Sequence, residues 1–312
     1  MAYGNLQGVM VALVTPLLAD GAIDHAALSK LIQCACSAGI NGLCPVGSTG
    51  EGPHLTAAQR LEVVNRVLQE TGTTKPVIPG IACTDIDSAR RQLDAYANAG
   101  ASAALVAPPF YFSLSRQAVE DFFVRLADCS PLPILLYHIP QFTKAALPLE
   151  SVLALSSHPR IVGIKDSSRD FEFYQALAAV APEKFSVLTG TDTMLLASLM
   201  AGGDGSIAAS ANVVPEWSVK LLQAVRASDW TAARELQLNI LSLVTACRKG
   251  SFPSGWKAAL EIAGVCNRCT VAPTPPLPPE MFHELRVEMV RLGLLPDEAS
   301  GEVLAAAIEE RV

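Results

Sequence analysis

The sequence predicts a (β/α)8 barrel followed by an all-helical extension, and three observations carry that expectation. Eight short apolar segments alternate with amphipathic helical ones over roughly the first 220 residues. Glycines recur where each helix must stop and turn into the next strand, as in Ala38-Gly39-Ile40-Asn41-Gly42, Ala99-Gly100-Ala101-Ser102-Ala103 and Ala201-Gly202-Gly203-Asp204-Gly205. After about Ser228 the strand-like segments end. The expected division is therefore 1–228 for the barrel and 229–312 for the helical region.

The elements follow in order. Gly8 to Leu17 reads as an apolar strand ended by a proline. Asp24 caps a helix to about Ala38, with Leu28, Leu31, Ile32 and Ala35 on one stripe. Gly42 to Gly47 is the second strand, and Thr56 caps a helix in which Leu61, Val64 and Leu68 keep helical spacing. The third to fifth strands are Pro76–Ala82, Ala103–Pro109 and Pro133–Pro140, with helices from Asp85, Ser115 and Leu149. The sixth is Ile161 to Ser168 with Phe171–Val180 behind it. Phe185–Gly190 and Gly205–Ser210 complete the set, with helices over Thr193–Ala201 and Glu216–Val225. An open doubly wound sheet would place a Gly-rich phosphate loop after the first strand, and Thr15-Pro16-Leu17 is no such loop. Beyond the barrel, Trp230–Arg248, Ser254–Gly264 and Pro279–Leu292 read as helices, interrupted by the proline-rich joint Pro273–Pro279. The tail from Pro296 is acidic and expected to fray.

Composition narrows the function. Half the residues are apolar and 17% are charged, as in a globular chain with a large core. A net charge of −7 without a basic cluster argues against nucleic-acid binding. No apolar run approaches the roughly 18 residues that span a bilayer, and Met1-Ala2-Tyr3-Gly4-Asn5 is not a signal-peptide start, so a cytoplasmic location is expected. Cys34, Cys36, Cys44, Cys83 and Cys129 lie in apolar segments, where cysteine serves as a small hydrophobe. Cys266 and Cys269 form a lone C-x-x-C, half of a zinc motif, with no second pair to complete it.

One residue stands out in that frame. Lys165 arrives at the end of the β-branched run Ile161-Val162-Gly163-Ile164. An apolar site disfavours an ammonium, and a neutral amine is a nucleophile toward a carbonyl carbon. Otherwise the lysine is a frayed strand end whose stem reaches water. Barrel active sites gather at the C-terminal ends of the strands. The same rule brings Gly47-Ser48-Thr49-Gly50-Glu51, Tyr137 and Gly190-Thr191-Asp192 to the face that carries Lys165. Ser48 and Thr49 suit a small carboxylate, or are an ordinary helix cap. Tyr137 suits proton transfer beside an amine, or is a core aromatic. Strand alternation points His138 opposite to Tyr137, away from the barrel interior.

These pieces resemble the dihydrodipicolinate synthase / N-acetylneuraminate lyase family of Schiff-base aldolases. Gly47-Ser48-Thr49-Gly50-Glu51, Tyr137-His138-Ile139-Pro140 and Gly163-Ile164-Lys165-Asp166-Ser167-Ser168 occur in family order and spacing, and Phe252 to Leu260 looks like the family's late helix. The resemblance implies that Lys165 forms an imine with pyruvate or another 2-keto acid. It implies that Tyr137 relays protons, that Thr49 and Ser48 bind the carboxylate, and that the backbone at Ile207 flanks the keto acid beside Gly190 and Asp192. Tyr111 matches a tyrosine lent to a neighbouring subunit, which implies a tight dimer within a homotetramer. No metal or organic cofactor is implied.

The chain also departs from its relatives. Phe142 stands where lysine-pathway synthases resemble one another in an arginine that grips the aldehyde's carboxylate, and a phenylalanine makes no such contact. Thr193 and Ala209 replace an acid and a serine of sialic acid lyases. Gly202 to Asn212 looks closest to aldolases for 2-keto-3-deoxy sugar acids. Aldol cleavage of such an acid to pyruvate and an aldehyde is the expected reaction. A dihydrodipicolinate synthase, an N-acetylneuraminate lyase or keto-acid dehydratase, and a non-catalytic keto-acid-binding protein are the alternatives.

Overall fold

The structure is a computed structural model describing residues 6–296; residues 1–5 and the acidic stretch 297–312 lie outside the described residues. Eight parallel strands run β1 (Gly8–Ala12), β2 (Gly42–Cys44), β3 (Gly80–Ile81), β4 (Ala104–Val106), β5 (Ile134–His138), β6 (Ile161–Asp166), β7 (Ser186–Thr189) and β8 (Gly205–Ala208). They pair in the order β2-β1-β8-β7-β6-β5-β4-β3. A parallel bridge from Leu43 to Val77, with Leu43 N donating to Pro76 O and Ile78 N to Leu43 O, spans the remaining gap and nearly closes the barrel.

Helices α1 (His25–Ser37), α2 (Ala57–Thr71), α3 (Ile86–Ala99), α4 (Arg116–Cys129), α5 (Pro140–Thr143), α6 (Leu149–Ser156), α7 (Phe171–Val180), α8 (Leu195–Met200) and α9 (Pro215–Arg226) connect the strands and follow the last. The expected caps are present. The side chains of Asp24, Thr56, Asp85 and Ser115 each accept from a backbone N–H of the first turn, and Gln59 completes a capping box with Thr56. Gly39 and Gly100 have φ of +85° and +102°, the left-handed stop predicted at those joints.

Several strands are shorter than the apolar runs suggested, above all β2, β3 and β4. Pro45, Pro76, Pro79 and Pro108 lie inside those runs and lack the N–H that a ladder needs, so the chain stays extended without pairing. Pro140, read from sequence as a strand end, opens the short helix α5 instead, a position that suits its fixed φ. The expected start of α8 at Thr193 falls in a 3-10 turn over Asp192–Met194. One cysteine differs from expectation: Cys129, the last residue of α4, is exposed rather than packed.

The strand period of two sorts the side chains into two cores. Met10, Ala12, Cys44, Leu135, Tyr137, Leu188 and Ile207 fill the barrel interior. Val9, Val11, Ile134, Leu136, Ile164 and Val187 face outward into the layer shared with the helices. Three further helices follow: α10 (Trp230–Cys247), α11 (Ser254–Ile262) and α12 (Pro279–Arg291). All of α11 except Glu261 is buried, so it is a core helix rather than an added flange. Among the described residues no helix is long and apolar enough to cross a membrane.

Candidate active site

Register brings the first two residues together. Tyr137 on β5 pairs with Lys165 on β6, which pairs with Leu188 on β7, so all three side chains share one level of the barrel interior. Lys165 Nζ lies 4.6 Å from the centroid of the Tyr137 ring. Both residues are buried, Lys165 at 5% exposure, and no carboxylate forms an ion pair with Lys165 among the described residues. An ammonium held in the barrel without a counter-charge costs stability, which makes Lys165 a candidate site residue on physical grounds.

The next level faces the other way. His138 and Asp166 are also register partners, and their side chains point into the helix layer, where His138 Nδ1 and Asp166 Oδ1 are 2.9 Å apart. Phe173 of α7 meets the imidazole edge-on, with centroids 4.9 Å apart. Asp166 also accepts from Ser168 N at 3.2 Å and Ser168 Oγ at 3.1 Å. His138 therefore buttresses the outside of the two strands that carry Tyr137 and Lys165, as strand alternation predicted.

Gly190, after β7, is where a side chain does not fit. A Cβ there would lie 2.0 Å from Ser167 Oγ and 2.5 Å from Lys165 Cε. The lysine stem occupies the space that glycine leaves. Gly190→Ala is expected to displace the amine by about 1 Å and to lower kcat/KM roughly 100-fold. Steady-state kinetics beside a thermal melt checks this, since a fold defect would lower the melting temperature as well.

The loop after β2 delivers the hydroxyls. Ser48 Oγ lies 3.4 Å from Tyr137 OH, and Thr49 is buried beside it. The loop's backbone is forced: Val46 and Glu51 have φ of +50° and +55°, which for a β-branched valine is a strained conformation. Three contacts hold it. Thr15 Oγ1 donates to Gly50 O at 2.7 Å, and the buried Glu51 carboxylate pairs with the fully buried Lys257 of α11 and accepts from Val271 N at 2.8 Å. Lys257 thus ties the loop to the C-terminal helices, a role that no local signal around that lysine announces.

Asp192 holds the turn after β8. Its Oδ1 accepts from Ser210 N at 2.7 Å, capping the turn after β8 rather than its own helix, and its carbonyl accepts from Gln237 Nε2 at 3.1 Å. It still lines the cavity, so a hydroxyl acceptor there remains compatible with the geometry.

Together these residues line a cavity of about 90 Å³ that contains Ser48, Thr49, Tyr137, Lys165, Gly190, Asp192 and Ile207. All the expected substrate-side residues meet there. Arg169 and Arg248 line the same cavity and were not expected. Arg169 follows β6 by the same strand-end rule that found Lys165, so that rule could have flagged it. Tyr111 lies elsewhere: it is 83% exposed, with φ of +86°, and stacks edge-on against the exposed Phe112. Cys44 lies deeper in the barrel, where burial pushes its thiol up to about 11 against the opposing charge of Lys165. A thiol protonated at neutral pH is no rival nucleophile. Cys266 and Cys269 are both free, and among the described residues no His, Cys, Asp or Glu group of three or more could hold a metal ion.

Eight parallel strands with a buried lysine and tyrosine at their C-terminal ends define a (β/α)8 barrel with a strand-end pocket, the place where barrel enzymes carry their active sites. The comparisons make the assignment specific. The sequence profile of the dihydrodipicolinate synthetase family matches residues 5–290, and the chain belongs to that family. A 4-hydroxy-tetrahydrodipicolinate synthase of Methanopyrus kandleri is 33% identical over 302 residues, covering 94% of this chain and 98% of the relative. An uncharacterized DapA-like lyase of Halobacterium salinarum is 32% identical over 291 residues, covering 93% and 95%. Among solved structures, YagE, a prophage protein from E. coli K12 in complex with pyruvate, superposes with a TM-score of 0.89 at 28% identity, covering 93% of this chain and 99% of that one. The dihydrodipicolinate synthase of Acinetobacter baumannii complexed with pyruvate gives 0.90 at 28% identity, covering 93% and 100%.

Proposed function

We propose that the protein is a class I aldolase in which Lys165 forms an imine with pyruvate or another 2-keto acid. The reading rests above all on the buried Lys165 amine, without an ion-pair partner among the described residues and lying 4.6 Å from the Tyr137 ring centroid in one cavity with Ser48 and Thr49. Ser48 and Thr49 hold the keto acid's carboxylate, and the backbone at Ile207 and Gly190 flanks its carbon chain. Lys165 attacks the keto carbon, and Tyr137 moves the protons of carbinolamine formation and dehydration. The protonated imine is an electron sink. It accepts the electron pair of the breaking carbon–carbon bond in cleavage and supplies an enamine in condensation.

Tyr137→Phe keeps the ring and removes the proton carrier. It is expected to lower kcat by roughly 100- to 10,000-fold while pyruvate still binds; single-turnover imine formation measured against pyruvate affinity separates the two effects.

The preferred reaction is reversible cleavage of a 2-keto-3-deoxy sugar acid to pyruvate and an aldehyde. The synthase reaction is the second reading, favoured by the name of the Methanopyrus kandleri relative. Against it, Phe142 lines the cavity at the position read as the synthases' arginine, and it packs on Phe252 with centroids 5.5 Å apart. A panel of keto-deoxy sugar acids run in the cleavage direction, with released pyruvate measured, tests the choice. Turnover of aspartate semialdehyde exceeding that of every sugar acid would overturn it.

Tyr111 and Phe112 form an exposed aromatic pair outside the chain's own cavity. Following the resemblance, Tyr111 reaches a second copy's proton relay, and the assembly is a homotetramer built from tight dimers. Tyr111→Ala is expected to shift the sedimentation of the protein toward smaller species and to lower kcat together.

A further inference from the structure

Gln237 makes two hydrogen bonds that the mechanism above does not use. It lies half-buried on α10, outside the barrel, and reaches the loop after β7 across 45 residues of chain. Its Oε1 accepts from Leu196 N at 2.8 Å, and its Nε2 donates to Asp192 O at 3.1 Å. Each bond fixes the amide's orientation for the other, because a flipped amide would set N–H against N–H and oxygen against oxygen. The loop has poor partners of its own. The 3-10 turn over Asp192–Met194 and the six-residue α8 both begin without a side-chain cap. The N–H groups of a helix's first turn have no partner inside the helix, and Gln237 satisfies the one at Leu196 from α10.

This tie is one end of a longer series. Asp192 Oδ1 accepts from Ser210 N, so the loop after β7 holds the loop after β8. Asn212, buried in that second loop, accepts from Val14 N at 2.9 Å and donates to Ala12 O at 2.8 Å, which joins it to the end of β1. Thr15 joins the chain after β1 to Gly50 after β2, and the Glu51–Lys257 pair ends the series on α11. Four neighbouring strand ends are thus linked by side chains, and the two ends of the series rest on α10 and α11. The same strand ends carry Gly190, Ile207, Ser48 and Thr49, the residues assigned above to the keto acid. Lys165 meets the series at Gly190, two residues before Asp192. A Cβ on Gly190 would fall 2.5 Å from Lys165 Cε, so its backbone is the wall against which the lysine stem lies. In a close-packed interior, a shift of that wall moves the amine with it.

We propose that Gln237 is a positioning residue: from α10 it fixes the loop after β7, and through Gly190 it sets where the Lys165 amine meets the keto carbon. The inference rests on the imine reading and adds to it a residue that does not line the cavity.

Gln237→Met keeps the length of the side chain and removes both bonds. The measurement is the rate at which pyruvate becomes trapped on Lys165, with samples quenched in borohydride at timed intervals, at several pyruvate concentrations and well below the melting temperature. The limiting rate constant is expected to fall about 10-fold, since misplacement by about 1 Å costs up to roughly 100-fold. The half-saturating pyruvate concentration is expected to stay within about 3-fold, because Ser48 and Thr49 keep their own anchors at Thr15 and Lys257. A fold defect reads differently: it lowers the trapped amplitude and the melting temperature and leaves the rate constant of the remaining molecules unchanged. Asp192→Ala cuts the same series one bond further on, so the two losses are expected not to multiply in the double variant. An unchanged rate constant, a loss confined to the amplitude or to the half-saturating concentration, or losses that multiply would overturn the proposal. The wild-type protein keeps the two claims apart. An adduct at Lys165 that forms equally fast in both proteins removes only the Gln237 assignment, and absence of the adduct from the wild type removes both.

Discussion

Lys165→Met is expected to abolish aldol turnover, lowering kcat/KM by about 10,000-fold or more, while leaving the melting temperature unchanged or higher. Under the proposed imine mechanism the loss follows from removing the amine that makes the covalent intermediate, and groups that act as one catalytic unit fail together. The stability follows from the same geometry. Lys165 is 5% exposed, faces a tyrosine ring and has no ion-pair partner among the described residues, so its ammonium is a burden to the folded state that methionine removes at similar volume. Enzyme assays and a thermal melt on one preparation decide the matter. Large destabilisation with modest activity loss would make Lys165 a structural residue.

Lys257→Met is expected to do the reverse. Lys257 is fully buried against Glu51, which then keeps only the Val271 N–H at 2.8 Å for a buried carboxylate. Removing one partner of a buried pair costs about 3–5 kcal/mol, which for a domain of this size corresponds to a fall of roughly 6–20 °C in melting temperature. Activity falls too, because Glu51 N donates to Ser48 O at 3.1 Å and the loop that carries Ser48 and Thr49 loses its anchor. The double variant Glu51→Gln, Lys257→Met removes both charges and is expected to recover much of the stability, as measured by chemical denaturation. A single variant as stable as the wild type would contradict the account of the loop.

The barrel was legible because its signals are local. Apolar runs, caps at Asp24, Thr56, Asp85 and Ser115, and left-handed glycines at the helix ends each need only a few neighbouring residues. The strand-end rule then placed Lys165, Tyr137, Ser48 and Thr49 on one face, and the structure brings them into one cavity. What the sequence hid is set by distance along the chain. Glu51 stood in a motif, but its partner Lys257 is brought to it by α11 only in the folded protein. Arg248 ends a helix outside the barrel, where no strand rule reaches. The strand lengths were overread for a different reason: hydrophobic period sees burial, and it does not see the missing N–H groups of Pro45, Pro76, Pro79 and Pro108.

The measurement that bears most directly on the central claim is reductive trapping. The protein is incubated with pyruvate and borohydride, digested, and its peptides weighed. The account predicts one adduct, the mass of pyruvate joined through a reduced imine, on the peptide that contains Lys165 and on no other, absent from Lys165→Met. An unmodified Lys165 peptide, or an adduct at another lysine that persists in Lys165→Met, would contradict it.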